Sequence, residues 1–231
     1  KPTTAYLMTH TDDGCVGNCA FCPQAKESPS SKSRLSRVLW PTYPSEAVLE
    51  ALGNAPEQEL KRICIQAVNY PGYFEDVHAL LKGMRAATDT PVSLDTCPLN
   101  GEQMRILKEA GLDRIGIPLD ASTPLLFDRV KGSEVGGPFS WDDHMEALRE
   151  AVEVFGRSRV MSNLIIGIGE TEEEAANFIQ TLMDMGVQTG LFAFTPIQGT
   201  ILHEHSQPPL KSYRRVQVAR HLITLRHARV D

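Results

Sequence analysis

Apolar residues in this chain gather in six short runs, separated by longer segments with helical periodicity. Runs rich in Val, Ile, Leu and Phe are typical of buried strands, and their alternation with helices predicts a parallel sheet with right-handed crossovers. The fold class is therefore α/β, either an open doubly wound sheet or a partial (β/α)6 barrel of the TIM type. The predicted strands span residues 5–9, 62–68, 91–96, 114–119, 159–168 and 191–197.

Four of the intervening helices have ends that the sequence predicts. Ser and Asn accept hydrogen bonds at helix N-termini, Thr171 with Glu174 forms a capping box, and glycine terminates helices. The predicted helices begin at the caps Ser45, Asn100, Ser140 and Thr171 and extend to Leu52, Gly111, Gly156 and Met185, respectively.

The bulk composition indicates an ordinary globular protein. With 231 residues, 42% of them hydrophobic and 23% charged, we expect a single domain over residues 1–231. The net charge of −6 argues against nucleic acid or an anionic membrane as a partner. No stretch approaches the roughly 20 apolar residues that span a bilayer, and no signal peptide precedes the first strand, so we expect a cytoplasmic location. The C-terminal segment of the protein is expected to continue beyond Asp231.

Three of the five cysteines lie close together after the first predicted strand. The order Cys15, Cys19, Cys22 has C-x3-C-x2-C spacing, which lets one loop place three thiolates on one metal centre and leaves a position open. A structural zinc site or a ferredoxin-type cluster uses four ligands. A zinc loop with His10 as an awkward fourth ligand, and cysteines without any metal, stay as alternatives.

This motif, with Phe21 before the third cysteine, resembles that of the radical S-adenosylmethionine (SAM) superfamily. The resemblance implies a [4Fe-4S] cluster on Cys15, Cys19 and Cys22, with SAM bound to the open iron and cleaved to a 5′-deoxyadenosyl radical. It also implies a partial barrel of the radical SAM type, with Phe21 against the adenine of SAM. Further SAM-binding positions, by the same likeness, are Ala67, Asn69, Gly72, Asp120, Asn163, Ile165 and Phe194. Asp120 has an alternative interpretation as a helix N-cap.

Within that superfamily, several segments are similar to biotin synthase and lipoyl synthase. They include Cys22-Pro23-Gln24 and Leu119-Asp120-Ala121-Ser122. Cys64 and Cys97 occupy the places of two cysteines that hold a second cluster in biotin synthase, but Met161 stands where the third would be. An incomplete set argues against that second cluster, and buried cysteines acting as small hydrophobic residues explain Cys64 and Cys97 equally well.

Other segments resemble the two-protein lipoyl synthases of prokaryotes, among them residues 62–66, 69–74, 192–196 and 207–210. This likeness implies sulfur insertion into an octanoyl chain carried by a lipoyl domain or H-protein. It further implies a reductant of the ferredoxin or flavodoxin type, a second radical SAM protein as partner, and a second [4Fe-4S] cluster bound by residues outside this segment.

Three other functions remain compatible with the sequence. Another enzyme of the biotin synthase type could catalyse dethiobiotin thiolation, methylation or a carbon-skeleton rearrangement. A non-catalytic iron–sulfur carrier and a zinc-stabilised binding module belong to a different class, and metal and sulfide content distinguishes them.

Overall fold

The computed structural model describes residues 3–56 and 59–230 and contains a parallel sheet of six strands. These six strands are adjacent in the order in which they occur along the chain, and two further short strands pair as an antiparallel hairpin. The predicted α/β class is confirmed, and the sheet is a partial (β/α)6 barrel. The six sheet strands are β1 (Thr4–Met8), β4 (Arg62–Gln66), β5 (Val92–Asp95), β6 (Leu112–Gly116), β7 (Val160–Ile166) and β8 (Val187–Ala193), and the hairpin consists of β2 (Arg34–Leu35) and β3 (Val38–Leu39).

Helices connect the sheet strands, and three of the four predicted N-caps are confirmed. Asn100 and Thr171 form capping boxes, and Ser140 accepts a hydrogen bond from the amide of Asp143. Ser45 is not a cap, because it is the first helical residue and Pro44 precedes it. The helices are α1 (Ser45–Gly53), α2 (Tyr73–Ala87), α3 (Gly101–Glu109), α4 (Pro124–Val130), α5 (Trp141–Phe155), α6 (Glu172–Met185) and α7 (Leu210–Thr224).

Two strands lie earlier in the chain than the sequence predicts. The prediction of 191–197 was wrong because β8 begins at Val187, directly after Gly186 ends α6 in a left-handed conformation. Its first half contains Gln188, Thr189 and Gly190 and therefore lacks the apolar signal of a strand. The prediction of 114–119 was displaced in the same direction, because Pro118 has no amide to donate to a neighbouring strand.

The core lies between the sheet and its helices. Ile63 and Leu94 in the strands and Met84 and Leu107 in the helices are almost fully buried together. Each such side chain contributes about 1.5–3 kcal/mol through removal from water. No helix among the described residues has the length and apolar character that crossing a membrane requires.

The opposite face of the strands is the barrel interior, and it is polar. Because neighbouring strand residues point to opposite faces, Cys64 and Gln66 of β4 lie on the other side from Ile63. Gln66 Nε2 donates hydrogen bonds to Asp95 Oδ2 over 2.8 Å and to Cys64 Sγ over 3.2 Å. In a parallel barrel, ligands gather at the C-terminal ends of the strands, where Gln66 and Asp95 stand.

Candidate active site

The segment of residues 14–25, here called the cysteine loop, follows β1 at the C-terminal end of the barrel. Its backbone is folded on itself, since the Cys15 amide donates to the Gln24 carbonyl and the Cys22 amide to the Cys19 carbonyl, both over 3.0 Å. The buried Gln24 side chain also donates to the carbonyls of Lys32 and Arg34. These bonds fix the loop that carries all three thiols.

Contacts with two other segments attach the cysteine loop to the barrel. The Val16 amide donates to the carbonyl of Asn69, after β4, over 2.8 Å. The Ala20 amide donates to the carbonyl of Val130, at the end of α4, over 2.7 Å. Asn18 Nδ2 donates over 2.6 Å to the carbonyl of Val135. The loop therefore rests on the ends of β4 and α4.

Gly17 shows how closely the cysteine loop approaches the segment after α4. A Cβ atom on Gly17 would lie 2.5 Å from the ring of Phe139, closer than real Cβ atoms approach a neighbour. Packing against Phe139 therefore requires glycine at position 17. The cysteine motif alone does not indicate this requirement.

Burial disfavours ionisation of two of the loop thiols, Cys19 and Cys22, in the absence of a cation. Burial raises the pKa of Cys19 well above its usual value, and the charges of Cys22 and Cys15 raise it further, while Lys131 opposes the rise. Burial likewise raises the pKa of Cys22 to about 12. Cys19 and Cys22 therefore ionise only beside positive charge, which an iron centre supplies.

The donor set fits a [4Fe-4S] cluster with one open iron. Among the described residues, no three His, Cys, Asp or Glu side chains converge on one point as the ligands of a single ion do. In a [4Fe-4S] cluster each cysteine binds a different iron atom, so the three sulfur atoms need not converge. The sulfurs share one loop, and a fourth protein ligand is not part of it.

Three of the residues expected to bind SAM are joined where β6 and β7 end. The Asp120 amide donates to the Asn163 carbonyl and the Ile165 amide donates to the Asp120 carbonyl, both over 2.9 Å. Asp120 has a left-handed φ of 68°, which is uncommon outside glycine and often marks a functional position. The alternative interpretation of Asp120 as an N-cap is wrong, because Thr123 caps α4.

The remaining expected positions surround the same end of the barrel. The Ala67 amide donates to the Asp95 carbonyl, and the Phe194 amide donates to the Ile166 carbonyl just beyond β8. Phe21 packs against the core from within the cysteine loop. Gly72 is exposed, with a φ of 87°, at the N-cap of α2. Their contacts with SAM stay predictions.

Sequence reasoning missed Lys131, which is buried beside these residues. Its Nζ lies 2.8 Å from Asp120 Oδ2, and it also donates to the Pro118 carbonyl. The side chains of Lys131 and Asp120 are 6% and 12% exposed. Burial alone would lower the pKa of Lys131, but Asp120 raises it above its ordinary value, so the side chain is an ammonium. A signal existed, because Lys131 follows Phe127 by four residues and continues the apolar face of α4.

Two aromatic rings and a neutral histidine surround the ammonium of Lys131. Its Nζ lies 5.9 Å from the Phe127 ring centroid and 5.7 Å from that of Phe139, within the range of cation–π attraction. His144 contacts both rings, and burial together with the charge of Lys131 lowers its pKa to about 3. Lys131 is therefore the cation at the centre of this group.

Cys97 and Cys64 differ in their relation to the cysteine loop. Burial raises the pKa of Cys97 to about 12, and the charges of Cys15 and Cys22 contribute, so Cys97 lies within their electrostatic reach. Cys64 is buried in β4 and accepts a hydrogen bond from Gln66. Met161 lies in β7, on the far side of β5 and β6 from Cys64.

An open cavity of about 420 Å³ adjoins Cys15. Polar and apolar residues from the loop and from the segment after β4 line it. They are Thr11, Asp13, Gly14, Cys15, Val16, Lys26, Tyr70 and Pro71.

Comparison with protein families identifies the class. Residues 11–182 match the model of the radical SAM superfamily, and the chain belongs to that superfamily. It is 30% identical over 228 residues to a biotin synthase of Paramagnetospirillum magneticum, covering 93% of this chain and 64% of the relative. A biotin synthase of Sphingopyxis alaskensis is 29% identical over 208 residues, with 85% and 57% covered. The chain thus spans less than two thirds of these relatives.

Solved structures share the fold at low sequence identity. The FeFe-hydrogenase maturase HydG from Carboxydothermus hydrogenoformans superimposes with a TM-score of 0.72 at 15% identity, over 97% of this chain and 52% of that one. Methylornithine synthase (PylB) gives a TM-score of 0.67 at 15% identity, over 94% of this chain and 63% of that one. These matches support the partial barrel of the radical SAM type.

Proposed function

We propose that this chain is the catalytic barrel of a radical SAM enzyme that inserts sulfur into an unactivated C–H bond. The observation that carries the proposal is the cysteine loop: three half-buried cysteines fixed at the ligand-binding end of a parallel barrel, with no fourth ligand from the loop. A bound cluster and SAM would supply a 5′-deoxyadenosyl radical that abstracts hydrogen from the substrate.

In this proposal the described residues bind and orient the two cofactors. Cys15, Cys19 and Cys22 hold three irons of the cluster, and Asn69 fixes the loop through its carbonyl. Asp120 Oδ2 is engaged by Lys131, so Oδ1 is the oxygen assigned to a ribose hydroxyl. Ile165, held against Asp120, flanks the adenine.

Protection of the radical is the second task of the barrel. A primary carbon radical attacks most C–H bonds it meets, so the chamber must exclude water and stray groups. Ser93, which faces the interior from β5, is buried and donates a hydrogen bond to the Ile63 carbonyl. Fixed polar groups of this kind orient a substrate without moving.

For the substrate we propose an octanoyl chain attached to a lipoyl domain or H-protein. The segments similar to the two-protein lipoyl synthases support this choice, as does the likeness to biotin synthases, whose product contains inserted sulfur. The proposal includes a ferredoxin- or flavodoxin-type reductant, a second radical SAM protein as partner, and a second [4Fe-4S] cluster on residues outside this segment.

The test is anaerobic turnover of the reconstituted full-length protein with SAM, a strong reductant and an octanoylated lipoyl-domain peptide. Deoxyadenosine release that the peptide stimulates, together with a thiol-bearing peptide by mass spectrometry, is the expected result. Deoxyadenosine release indifferent to the peptide would reject the octanoyl substrate. No deoxyadenosine from protein with an intact cluster would reject the enzyme itself.

A second candidate, dethiobiotin thiolation, is favoured by the biotin synthases among the relatives. The matched experiment replaces the peptide by dethiobiotin. The two candidates differ at Met161, because a sulfur-donating cluster of the biotin synthase design needs a cysteine there in addition to Cys64 and Cys97. Turnover to biotin would overturn the octanoyl proposal, and methylated or rearranged products would reject sulfur insertion altogether.

A further inference from the structure

Lys131 brings a full positive charge into a buried region directly below the cysteine loop. The loop contacts the chain on both sides of Lys131: Ala20 bonds to the carbonyl of Val130, and Gly17 packs on the ring of Phe139. Phe139 in turn lies under the Lys131 ammonium. The ammonium is therefore placed by the same contacts that hold the cysteines.

The ion pair of Lys131 and Asp120 neither caps α4 nor joins Asp120 to β7. Thr123 already caps α4, and the backbone amide and carbonyl of Asp120 already bond to β7. Burial of an ion pair commonly adds little net stability, because desolvating both charges offsets their attraction. A buried pair kept beside a candidate redox centre calls for a function.

We propose that Lys131, balanced by Asp120, sets the one-electron reduction potential of the cluster held by Cys15, Cys19 and Cys22. This inference rests on the proposed cluster ligands. A fixed cation favours the reduced cluster, which carries one more negative charge, and Asp120 opposes it. In a medium of low dielectric constant such charges act strongly and are poorly screened by salt.

Lys131 and Asp120 carry opposite charges and lie together in the buried region beside the cysteine loop. Each side of the pair is therefore a separate control on the reduction potential.

The redox step involves one electron and no bond. One electron passes from an external low-potential donor of the ferredoxin or flavodoxin class, which is oxidised, into the cluster, which is reduced. Lys131 keeps its proton throughout, because Asp120 and the Pro118 carbonyl accept its hydrogen bonds in both states. Lys131 therefore acts on the cluster through its charge and takes no part in bond making or proton transfer.

The experiment is a redox titration of the reconstituted full-length protein without SAM, followed by electron paramagnetic resonance. Lys131→Met should lower the midpoint so that the reduced-to-oxidised ratio at a fixed potential falls about tenfold, equivalent to about 59 mV. Asp120→Asn should shift the ratio in the opposite direction. The double variant should return towards wild type, and Lys131→Arg should remain close to it.

Lys26→Met is the matched control, because Lys26 is an exposed lysine that directly follows the cysteine loop. Water screens its charge, so its removal should change the ratio less than about threefold. The opposite signs of the two single variants separate a charge effect from general damage to the site, which would shift both in one direction.

Several outcomes overturn the inference. Equal midpoints for wild type, Lys131→Met and Asp120→Asn reject it, as do shifts of the same sign. If Lys131→Met does not fold, the other two variants still test the inference. Asp120→Asn must raise the midpoint potential, and the double variant must cancel that rise. Wild-type protein with less than about four iron and four sulfide per chain rejects the proposed cluster instead.

Discussion

Strand β6 has an aspartate near each of its ends, and the two are held in opposite ways. At the N-terminal end, Asp113 pairs with Arg62 over 2.8 Å and also with Arg114 and Arg159. Those partners are 24% to 54% exposed. Beyond the C-terminal end, Asp120 pairs with Lys131 alone among charged side chains in the described residues, and both are nearly buried.

The comparison shows at which end of the barrel a charged pair is kept in spite of the free-energy cost of burying it. Partly exposed pairs such as those of Asp113 gain less and cost less than a buried pair, because water still solvates the partners in the folded state. A buried pair gains strong attraction but loses solvation, and breaking it leaves an uncompensated charge. The buried pair of Lys131 and Asp120 lies beside the proposed cofactors. The partly exposed ion pairs of Asp113 only connect strands β4, β6 and β7.

The largest expected effect concerns the cysteine loop itself. Cys19→Ser should lower the iron content of the reconstituted full-length protein by about four per chain and abolish deoxyadenosine formation, because the loop has no spare thiol to bind the third iron. Iron and sulfide analysis with the SAM-cleavage assay measures both. Cys64→Ser is the control in the barrel interior and should keep the iron content of the wild-type protein. A cluster retained at full content in Cys19→Ser would contradict the assigned ligands.

The next effect compares the two ion pairs directly. Lys131→Met should lower the free energy of unfolding by about 3 kcal/mol, since it leaves Asp120 buried without a partner. Arg159→Met at the other end should cost about 0.5 kcal/mol, since Arg62 and Arg114 still face Asp113. Urea unfolding followed by circular dichroism measures both. Equal losses of unfolding free energy in the two variants would contradict the proposed difference between the buried and the partly exposed ion pairs.

Packing at Gly17 gives an effect of intermediate size. Gly17→Ala should destabilise the protein by about 1–3 kcal/mol and reduce its iron content, because the new methyl group overlaps the ring of Phe139. Gly101→Ala is the matched control, since the first turn of α3 favours alanine and the nearest atoms are the ends of the flexible side chains of Arg105 and Glu150. Unchanged iron content in Gly17→Ala would argue against this packing contact as a determinant of the site.

The smallest effect is a pH dependence of opposite sign at the two ends. Partial burial raises the pKa of Asp113, but the hydrogen bond and charge of Arg62, with Arg159 and Arg114, lower it below its ordinary value. Its stabilisation is present above the unfolded pKa of about 3.9 and is lost as the pH falls through the lower folded pKa. Asp113→Asn should therefore lose stability at neutral pH, by about 1 kcal/mol.

Asp95, at the C-terminal end of β5, should behave in the reverse way. Burial raises its pKa, a hydrogen bond from Gln66 opposes the rise, and the charge of Asp120 adds to it. Stability from the protonated form is present below the unfolded pKa and is lost as the pH rises through the folded pKa. Asp95→Asn should gain up to about 1 kcal/mol at neutral pH. Urea midpoints between about pH 3 and 7 measure both variants, and a loss of stability in Asp95→Asn would contradict the assigned burial.

Much of the fold could be predicted because its determinants are local. Caps at Asn100, Ser140 and Thr171 depend on a side chain and an amide three residues away, so sequence is sufficient. The start of β8 could not be predicted in the same way, since Gln188 and Thr189 form strand only by pairing with β7. Ser45 failed as a cap because a competing start at Pro44 cannot be distinguished by composition.

The sequence by itself determined the α/β class and the superfamily, because strand–helix alternation and the spacing of Cys15, Cys19 and Cys22 are properties of short segments. Only the tertiary structure decided that Lys131 lies with Asp120 below the cysteine loop, and that Asp120, Asn163 and Ile165 meet. Those neighbours are brought together by crossovers between parallel strands. Burial strengthens the electrostatic interaction between Lys131 and Asp120. No pattern along the chain indicates that these two residues pair.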